Sequence, residues 1–168
     1  MKIDVTGLRN LALILFCAAL VIAAFPVFGL RINITSSHVP VGLWRSYSAA
    51  AIEVGDVVVY DIYDLFLENP QIYEDGMIFE SSRIMKIVAA LSGAMIERSG
   101  DEVIVDGTRY PDARILKKSW CSVEYPMIVP DGSVWLMADV LRAFDSRYHG
   151  PVPVSLIREK VRPILVWR

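Results

Sequence analysis

The fold class is decided by the stretch MIERSGDEVIVDG, residues 95–107. Two short runs with apolar and β-branched residues, 95–98 and 103–105, are separated by Ser-Gly-Asp, and the second run ends at Asp-Gly. Runs of this length between such turn signals are typical of strands joined in hairpins, because glycine and aspartate fit the turns that connect antiparallel strands. The stretch therefore predicts a β-hairpin.

The same pattern continues on both sides of this hairpin. Further short apolar runs that begin or end at turn signals predict strands at 57–60, 84–88, 134–137 and 164–167. Residues 61–82 mix aromatic and acidic side chains without period 2, which predicts a short helix or a loop insert. The predicted fold class is mainly β, with one small domain built from short strands.

The N-terminal part of the chain is different in character. Residues 11–30 contain no charged side chain, and a helix of about 20 residues spans a hydrocarbon core of about 30 Å. A cleavable secretory signal is the rival interpretation, but its apolar core is about 7–15 residues long. We therefore predict a short N-terminal segment at 1–10, a transmembrane helix at 11–30, and one domain at 31–168, which is long enough for a continuous core.

Composition excludes several classes of function. The formal net charge is −2 and no basic cluster is present, which argues against a nucleic-acid partner. Cys17 lies in the apolar run and Cys121 outside it, so no disulfide within the domain is expected. With two histidines, no paired Cys/His spacing and no glycine-rich phosphate loop, we expect neither a metal site nor a cofactor.

Two residues have the chemistry of a nucleophile and a base. Ser37 lies in a loop constrained by Pro40 and Gly42, close to the predicted membrane helix. A serine hydroxyl needs a base to take its proton, and neither histidine lies in a sequence typical of a Ser-His-Asp site. Lys86 lies among apolar residues of a predicted strand, where desolvation lowers the pKa of an ammonium group. A loop serine and an outward-facing strand lysine are the alternatives for the two residues taken singly.

Three segments together carry a family resemblance: SSHVPVG at 36–42, MKIVAALSG at 85–93, and VPDGSVWLMAD at 129–139 continued by FDSRYHGPV at 144–152. In this order they resemble the boxes of the type I signal peptidase family, whose members use a Ser/Lys dyad on a β-rich domain tethered by N-terminal membrane helices. NITSS at 33–37 followed by PVGLW at 40–44 is most similar to the conjugative-transfer (TraF-type) branch.

The resemblance implies a role for each matching residue. Ser37 is the expected nucleophile, with Ser36 as the fallback, and Lys86 is the expected general base. Thr35 would donate to the oxyanion, together with the backbone N–H of the nucleophile. Asp145 and Arg147 are expected to form a structural ion pair that borders the dyad. The family often orients its lysine with a serine two residues before this aspartate; here that residue is Ala143, which leaves the orienting partner open.

The resemblance also implies a setting and a substrate. We expect a single-pass protein of the inner (cytoplasmic) membrane, with residues 1–10 in the cytoplasm and the catalytic domain in the periplasm. Its partners would be membrane lipid and an exported preprotein, with a pilin precursor of a conjugation system as one candidate. Hydrolysis and cyclisation of the product both stay open. The alternatives are a reduced general signal peptidase, or an inactive relative that acts as a membrane-tethered binding module.

Overall fold

The computed structural model describes residues 5–33, 39–70, 83–111, 123–138 and 143–167. Helix α1 spans Val5–Val27, so it begins before the predicted span and ends three residues before its predicted end. Its segment Thr6–Phe25 has a mean hydropathy of 2.3, none of it is buried by the rest of the described chain, and it is long and apolar enough to cross a membrane. After the helix ends, Gly29 has a φ of 65° and turns the chain into the first strand.

The rest of the described chain is mainly β, as predicted. Eleven strands and two short helices follow α1. Their bounds are β1 Leu30–Asn33, β2 Gly42–Tyr47, β3 Val57–Asp61, α2 Ile62–Glu68, β4 Arg83–Ala90, β5 Met95–Ser99, β6 Glu102–Val105, β7 Thr108–Pro111, β8 Met127–Ile128, β9 Ser133–Met137, α3 Ser146–His149, β10 Val152–Pro153 and β11 Ile157–Val166.

The strands form two antiparallel sheets. The larger has the order β1-β2-β11-β3-β4-β9-β10, and the smaller has the order β7-β6-β5-β8. The hairpin predicted from residues 95–107 is the β5–β6 pair of the smaller sheet, with Ser99 opposite Glu102. A second tight turn joins β6 to β7 through Asp106 and Gly107, whose φ angles of 46° and 82° are those of the two-residue turns that fit the twist of a hairpin.

The larger sheet buries side chains on both faces. On one face a cluster that includes Val58, Tyr60, Val88 and Leu136 packs against α2 and the segment around α3. On the other face Val39, Trp44, Val59 and Val161 form a second cluster, with Val57 and Met85 packed against it. A third cluster joins the smaller sheet to Trp135 and Met137 of β9. Alternate residues of β3 and β4 therefore enter different cores, and up to Val88 the even-numbered side chains of β4 face the first cluster.

The two short α-helices each begin at an aspartate. The short insert predicted at 61–82 contains helix α2, whose first turn is capped by the Asp61 side chain accepting from the backbone N–H of Tyr63 at 3.0 Å; residues 71–82 lie outside the described ranges. The segment at 144–151 contains one helical turn, α3, capped in the same way by Asp145. Aspartate at the N-cap satisfies a backbone N–H that would otherwise lack a partner at a helix start.

Candidate active site

Lys86 lies at the centre of the larger sheet, on β4 between β3 and β9. Its register partner on β3 is Val58, and its neighbours on the same face of β4 are Ile84 and Val88. The Lys86 side chain is fully buried, and within the described residues its Nζ atom has no hydrogen-bond partner. An amine in this position faces an apolar core on one side of the sheet.

The surroundings of Lys86 lower its pKa from 10.5 to about 7. Desolvation by burial is the largest cause, because the charged ammonium loses its hydration. The negative charge of Asp145 acts in the opposite direction and raises the pKa, and the positive charge of Arg147 lowers it. Near neutral pH a large share of Lys86 is therefore the neutral amine, which is the form that can accept a proton.

Asp145 and Arg147 form a buried ion pair next to this lysine. Arg147 donates from Nε to Oδ1 of Asp145 at 2.9 Å and from Nη2 to Oδ2 at 2.7 Å. The same carboxylate accepts from the backbone N–H of Arg147 and of Ala138, each at 3.1 Å. Arg147 also donates from Nη1 to the carbonyl oxygen of Pro111 at 3.0 Å, which links α3 to the end of β7 in the smaller sheet. Burial opposes the charge of Arg147, but its bonds to Asp145 outweigh that effect and raise its pKa.

A second buried pair, Tyr60 and His149, lies on the same side of the sheet. His149 Nδ1 lies 2.8 Å from the carbonyl oxygen of Gly150, which can only accept, so Nδ1 carries the proton. Burial is the largest of the causes that lower the pKa of His149 to about 4, so the ring is neutral near pH 7. Its Nε2 then accepts the hydrogen bond of the Tyr60 hydroxyl at 3.0 Å. Burial also raises the pKa of Tyr60.

Sequence reasoning did not assign a place to this Tyr-His pair. Its members are far apart in sequence and only the fold brings them together. The one signal available was a histidine inside the FDSRYHGPV segment, which matches a box of the family. Because His149 is neutral and its two ring nitrogens are both engaged, the imidazole is not available as a base for Ser37 in this arrangement.

The predicted nucleophile Ser37, its fallback Ser36 and the oxyanion donor Thr35 lie outside the described residues, so their roles stay predictions. The residues on either side of them are described. Asn33 ends β1, and Val39 is 4% exposed in the apolar cluster against which Met85 packs. Val39 therefore packs against β4, the strand that carries Lys86, on the face of the sheet opposite the Lys86 side chain. Ala143, at the position where the resemblance implies an orienting serine, is fully buried.

No metal-binding cluster is present among the described residues, where no three His, Cys, Asp or Glu side chains converge. Among the described residues, the fold brings together an amine that can be neutral near pH 7, Lys86, with the two buried pairs described above. This arrangement favours proton transfer by the amine.

Known proteins resemble this chain over most of its length. Residues 6–167 match the family described as "Signal peptidase, peptidase S26". A "Conjugal transfer protein TraF" of Agrobacterium tumefaciens is 28% identical over 90% of this chain and 90% of its own length. A "Plasmid transfer protein TraF" of Escherichia coli is 30% identical over 89% of this chain and 90% of its own length. A crystal structure of a signal peptidase I from Enterococcus faecalis aligns with a TM-score of 0.41 and 18% identity, covering 66% of this chain and 96% of that one.

The match to the family covers almost the whole chain, and the similarity to the two transfer proteins extends over nearly the full length of both partners. The resemblance inferred from the three sequence segments is thereby confirmed, and the chain belongs to the signal peptidase family, peptidase S26.

Proposed function

We propose that this chain is a membrane-anchored serine endopeptidase that uses Ser37 as nucleophile and Lys86 as general base. The observation that carries the proposal is the state of Lys86, which is fully buried on a central strand and has its pKa lowered to about 7. Burying a lysine that has no hydrogen-bond partner among the described residues is costly for stability, and such groups cluster at functional sites.

The proposed reaction proceeds in two halves. The neutral amine of Lys86 takes the proton of the Ser37 hydroxyl as Oγ attacks the scissile carbonyl carbon, and the oxyanion accepts hydrogen bonds from Thr35 and the backbone N–H of Ser37. When the C–N bond breaks, the Lys86 ammonium returns this proton to the leaving amine. A water molecule then attacks the acyl carbonyl carbon while Lys86 takes its proton, and when the C–Oγ bond breaks the Lys86 ammonium returns that proton to Oγ of Ser37, which releases the acid product.

The ion pair of Asp145 and Arg147 supports this site and does not take part in proton transfer. Both carboxylate oxygens of Asp145 already accept bonds from Arg147 or from backbone N–H groups. In this proposal the pair holds α3 against β9 and sets the electrostatic environment of Lys86.

The substrate and the cellular setting follow from the family and the relatives. Signal peptidases act on exported precursors, and the relatives named above are conjugal or plasmid transfer proteins. We propose the leader region of an exported preprotein as substrate, with a pilin precursor of a conjugation system as the specific candidate. Helix α1 would anchor the chain in the inner membrane, with the β domain on the periplasmic side.

The test uses the full chain in membranes and a precursor with small residues before the cut. Ser37→Ala and Lys86→Ala are each expected to abolish processing while the protein stays folded and membrane-bound, because nucleophile and base act as one unit. Two variants serve as controls: Ser36→Ala, and Lys160→Ala, which removes a lysine paired with Asp56 at 2.8 Å. Both are expected to retain processing. An active Ser37→Ala enzyme would refute the assignment of the nucleophile.

A further inference from the structure

The connection between β1 and β2 is closed by a side chain. The two strands pair with Asn33 opposite Gly42, so residues 34–41 form the connection that carries the proposed nucleophile. The Nδ2 atom of Asn33 donates to the carbonyl oxygen of Val39 at 2.9 Å and to that of Pro40 at 3.1 Å. One amide group at the end of β1 therefore reaches across the connection and binds the backbone on its far side.

The same backbone carbonyl has a second donor. Trp44 Nε1 donates to the carbonyl oxygen of Pro40 at 3.3 Å, and the indole itself is 3% exposed and fixed by its place on β2. Proline at position 40 has a restricted φ, which limits the backbone further. Val39, the neighbouring residue, is anchored in the cluster formed with Trp44, Val59 and Val161.

Gly42 shows how closely this end of the sheet is packed. A Cβ atom at position 42 would overlap the carbonyl oxygen of Leu165 on β11. The β2 end of the connection therefore lies directly against β11, while the β1 end is tied to residues 39 and 40 by the Asn33 amide. Both ends of segment 34–38 are fixed by contacts that do not involve the segment itself.

We propose that Asn33 and Trp44 are positioning residues for the nucleophile of this enzyme, acting by holding the Val39 and Pro40 carbonyls so that segment 34–38 is closed at both ends. The inference rests on the proposed function, because it takes Ser37 as the nucleophile. An attacking hydroxyl must be held close to its productive position before reaction, and a displacement of about 1 Å costs about 100-fold in rate. The amide is placed to prevent such a displacement.

The chemistry of the two donors dictates the variants. Asn33→Leu keeps the approximate size of the side chain and removes both hydrogen bonds. Asn33→Gln keeps an amide donor on a longer side chain, and Trp44→Phe removes the indole N–H while keeping an aromatic ring in the cluster. Asn69→Leu, the same replacement at the end of α2, is the matched control.

Cleavage of a quenched fluorescent peptide with Ala-x-Ala before the scissile bond is measured with the full chain in detergent. We expect Asn33→Leu to lower kcat by about 10- to 100-fold, with KM within about twofold of wild type, because the role proposed for Asn33 is to position the nucleophile and not to bind the peptide. The rise of kcat with pH should keep its midpoint, since the Asn33 amide lies on the connection and not beside Lys86. Asn33→Gln should recover part of the loss, and Asn69→Leu should retain the wild-type kcat.

Trp44→Phe is expected to lower kcat by about two- to fivefold, because Asn33 still donates to the Pro40 carbonyl. The double variant should lose more than the product of the two single losses, since each donor still holds the shared acceptor when the other is removed. Losses that multiply would contradict the shared acceptor as the origin of the effect.

The result that overturns the proposal is an Asn33→Leu enzyme with wild-type kcat, or one whose loss is explained entirely by a smaller folded fraction, measured by thermal unfolding on the same samples. The Ser37→Ala variant is assayed in parallel. If Ser37→Ala is inactive and Asn33→Leu is fully active, the positioning role fails and the proposed nucleophile stands. If Ser37→Ala is active, the proposed function fails.

Discussion

A charge placed beside Lys86 is predicted to move the pH at which the enzyme becomes active. Ile84 lies two residues before Lys86 on the same face of β4 and is partly buried. Residues two apart on a strand are separated by about 6.6 Å. At an effective dielectric constant of about 20, opposite unit charges at this distance attract by about 2.5 kcal/mol, or somewhat under two pKa units. Because position 84 is partly exposed, solvent screening reduces the expected shift to about one unit.

The variant is Ile84→Glu, and its matched control is Ile84→Gln, which has the same size without the charge. A carboxylate stabilises the ammonium form, so the pKa of Lys86 rises from about 7 and the neutral base appears only at higher pH. Peptide cleavage is measured from pH 5.5 to 10. We expect the wild-type rate to rise with a midpoint near 7, Ile84→Gln to rise near the same pH, and Ile84→Glu to rise about one pH unit later.

Two outcomes would refute this reasoning. A wild-type profile that reaches its plateau well below pH 6 would mean that the titrating group is not Lys86. Equal midpoints for Ile84→Glu and Ile84→Gln, with the Glu side chain ionised, would mean that the base does not lie on this face of β4. His149 offers no alternative source for a midpoint near 7, because burial lowers its pKa to about 4.

Two predictions concern stability. Lys86→Met is expected to raise the unfolding temperature, and the gain should be largest below pH 7. Between pH 7 and 10.5 the unfolded chain binds a proton at Lys86 that the folded chain does not bind. The stability of the wild-type protein therefore rises with pH across this window, by about 4–5 kcal/mol. An advantage of Lys86→Met that is equal at pH 6 and pH 10 would contradict the lowered pKa. Gly42→Ala should destabilise the protein by about 2–3 kcal/mol, because its Cβ would overlap the Leu165 carbonyl; an unchanged denaturation midpoint in urea would contradict the close approach.

The strands that the sequence predicts correctly are those with local signals. The runs at 57–60, 84–88, 95–98, 103–105 and 134–137 all lie within observed strands. Each is a short apolar or alternating run next to a glycine or aspartate turn, so its conformation is determined largely by its own residues. The turn at Asp106 and Gly107 is the clearest case, since both residues have the positive φ that such a turn requires.

Strand β11 could not be predicted in full for a physical reason. The apolar run at 164–167 indicated a short strand, whereas β11 extends over Ile157–Val166 between β2 and β3. Its first half contains Glu159 and Lys160, which are polar in sequence but satisfied by distant partners: Arg31 at 2.9 Å and Asp56 at 2.8 Å. Charges paired across the sheet in this way leave no periodic signal along the chain.

In the candidate site, too, only the features with a local sequence signal could be predicted. That Lys86 faces apolar residues follows from period 2, since Ile84 and Val88 flank it on the same face. That Tyr60 and His149 share a hydrogen bond does not follow from any local pattern, because β3 and the end of α3 meet only in the folded chain. The ion pair of Asp145 and Arg147 lies between these cases: its two members are close in sequence, but its burial beside Lys86 depends on the packing of α3 on β9.

The electrostatic balance at Lys86 explains why a buried aspartate can lie near a lysine base without disabling it. A carboxylate free to pair with Lys86 would stabilise the ammonium form and keep the base protonated. Asp145 is not free in this sense, because Arg147 binds both of its oxygens and two backbone N–H groups add further bonds. The positive charge of Arg147 thus offsets part of the effect of Asp145 and lowers the pKa of Lys86. Desolvation then prevails over the attraction to Asp145, and the amine titrates near neutral pH.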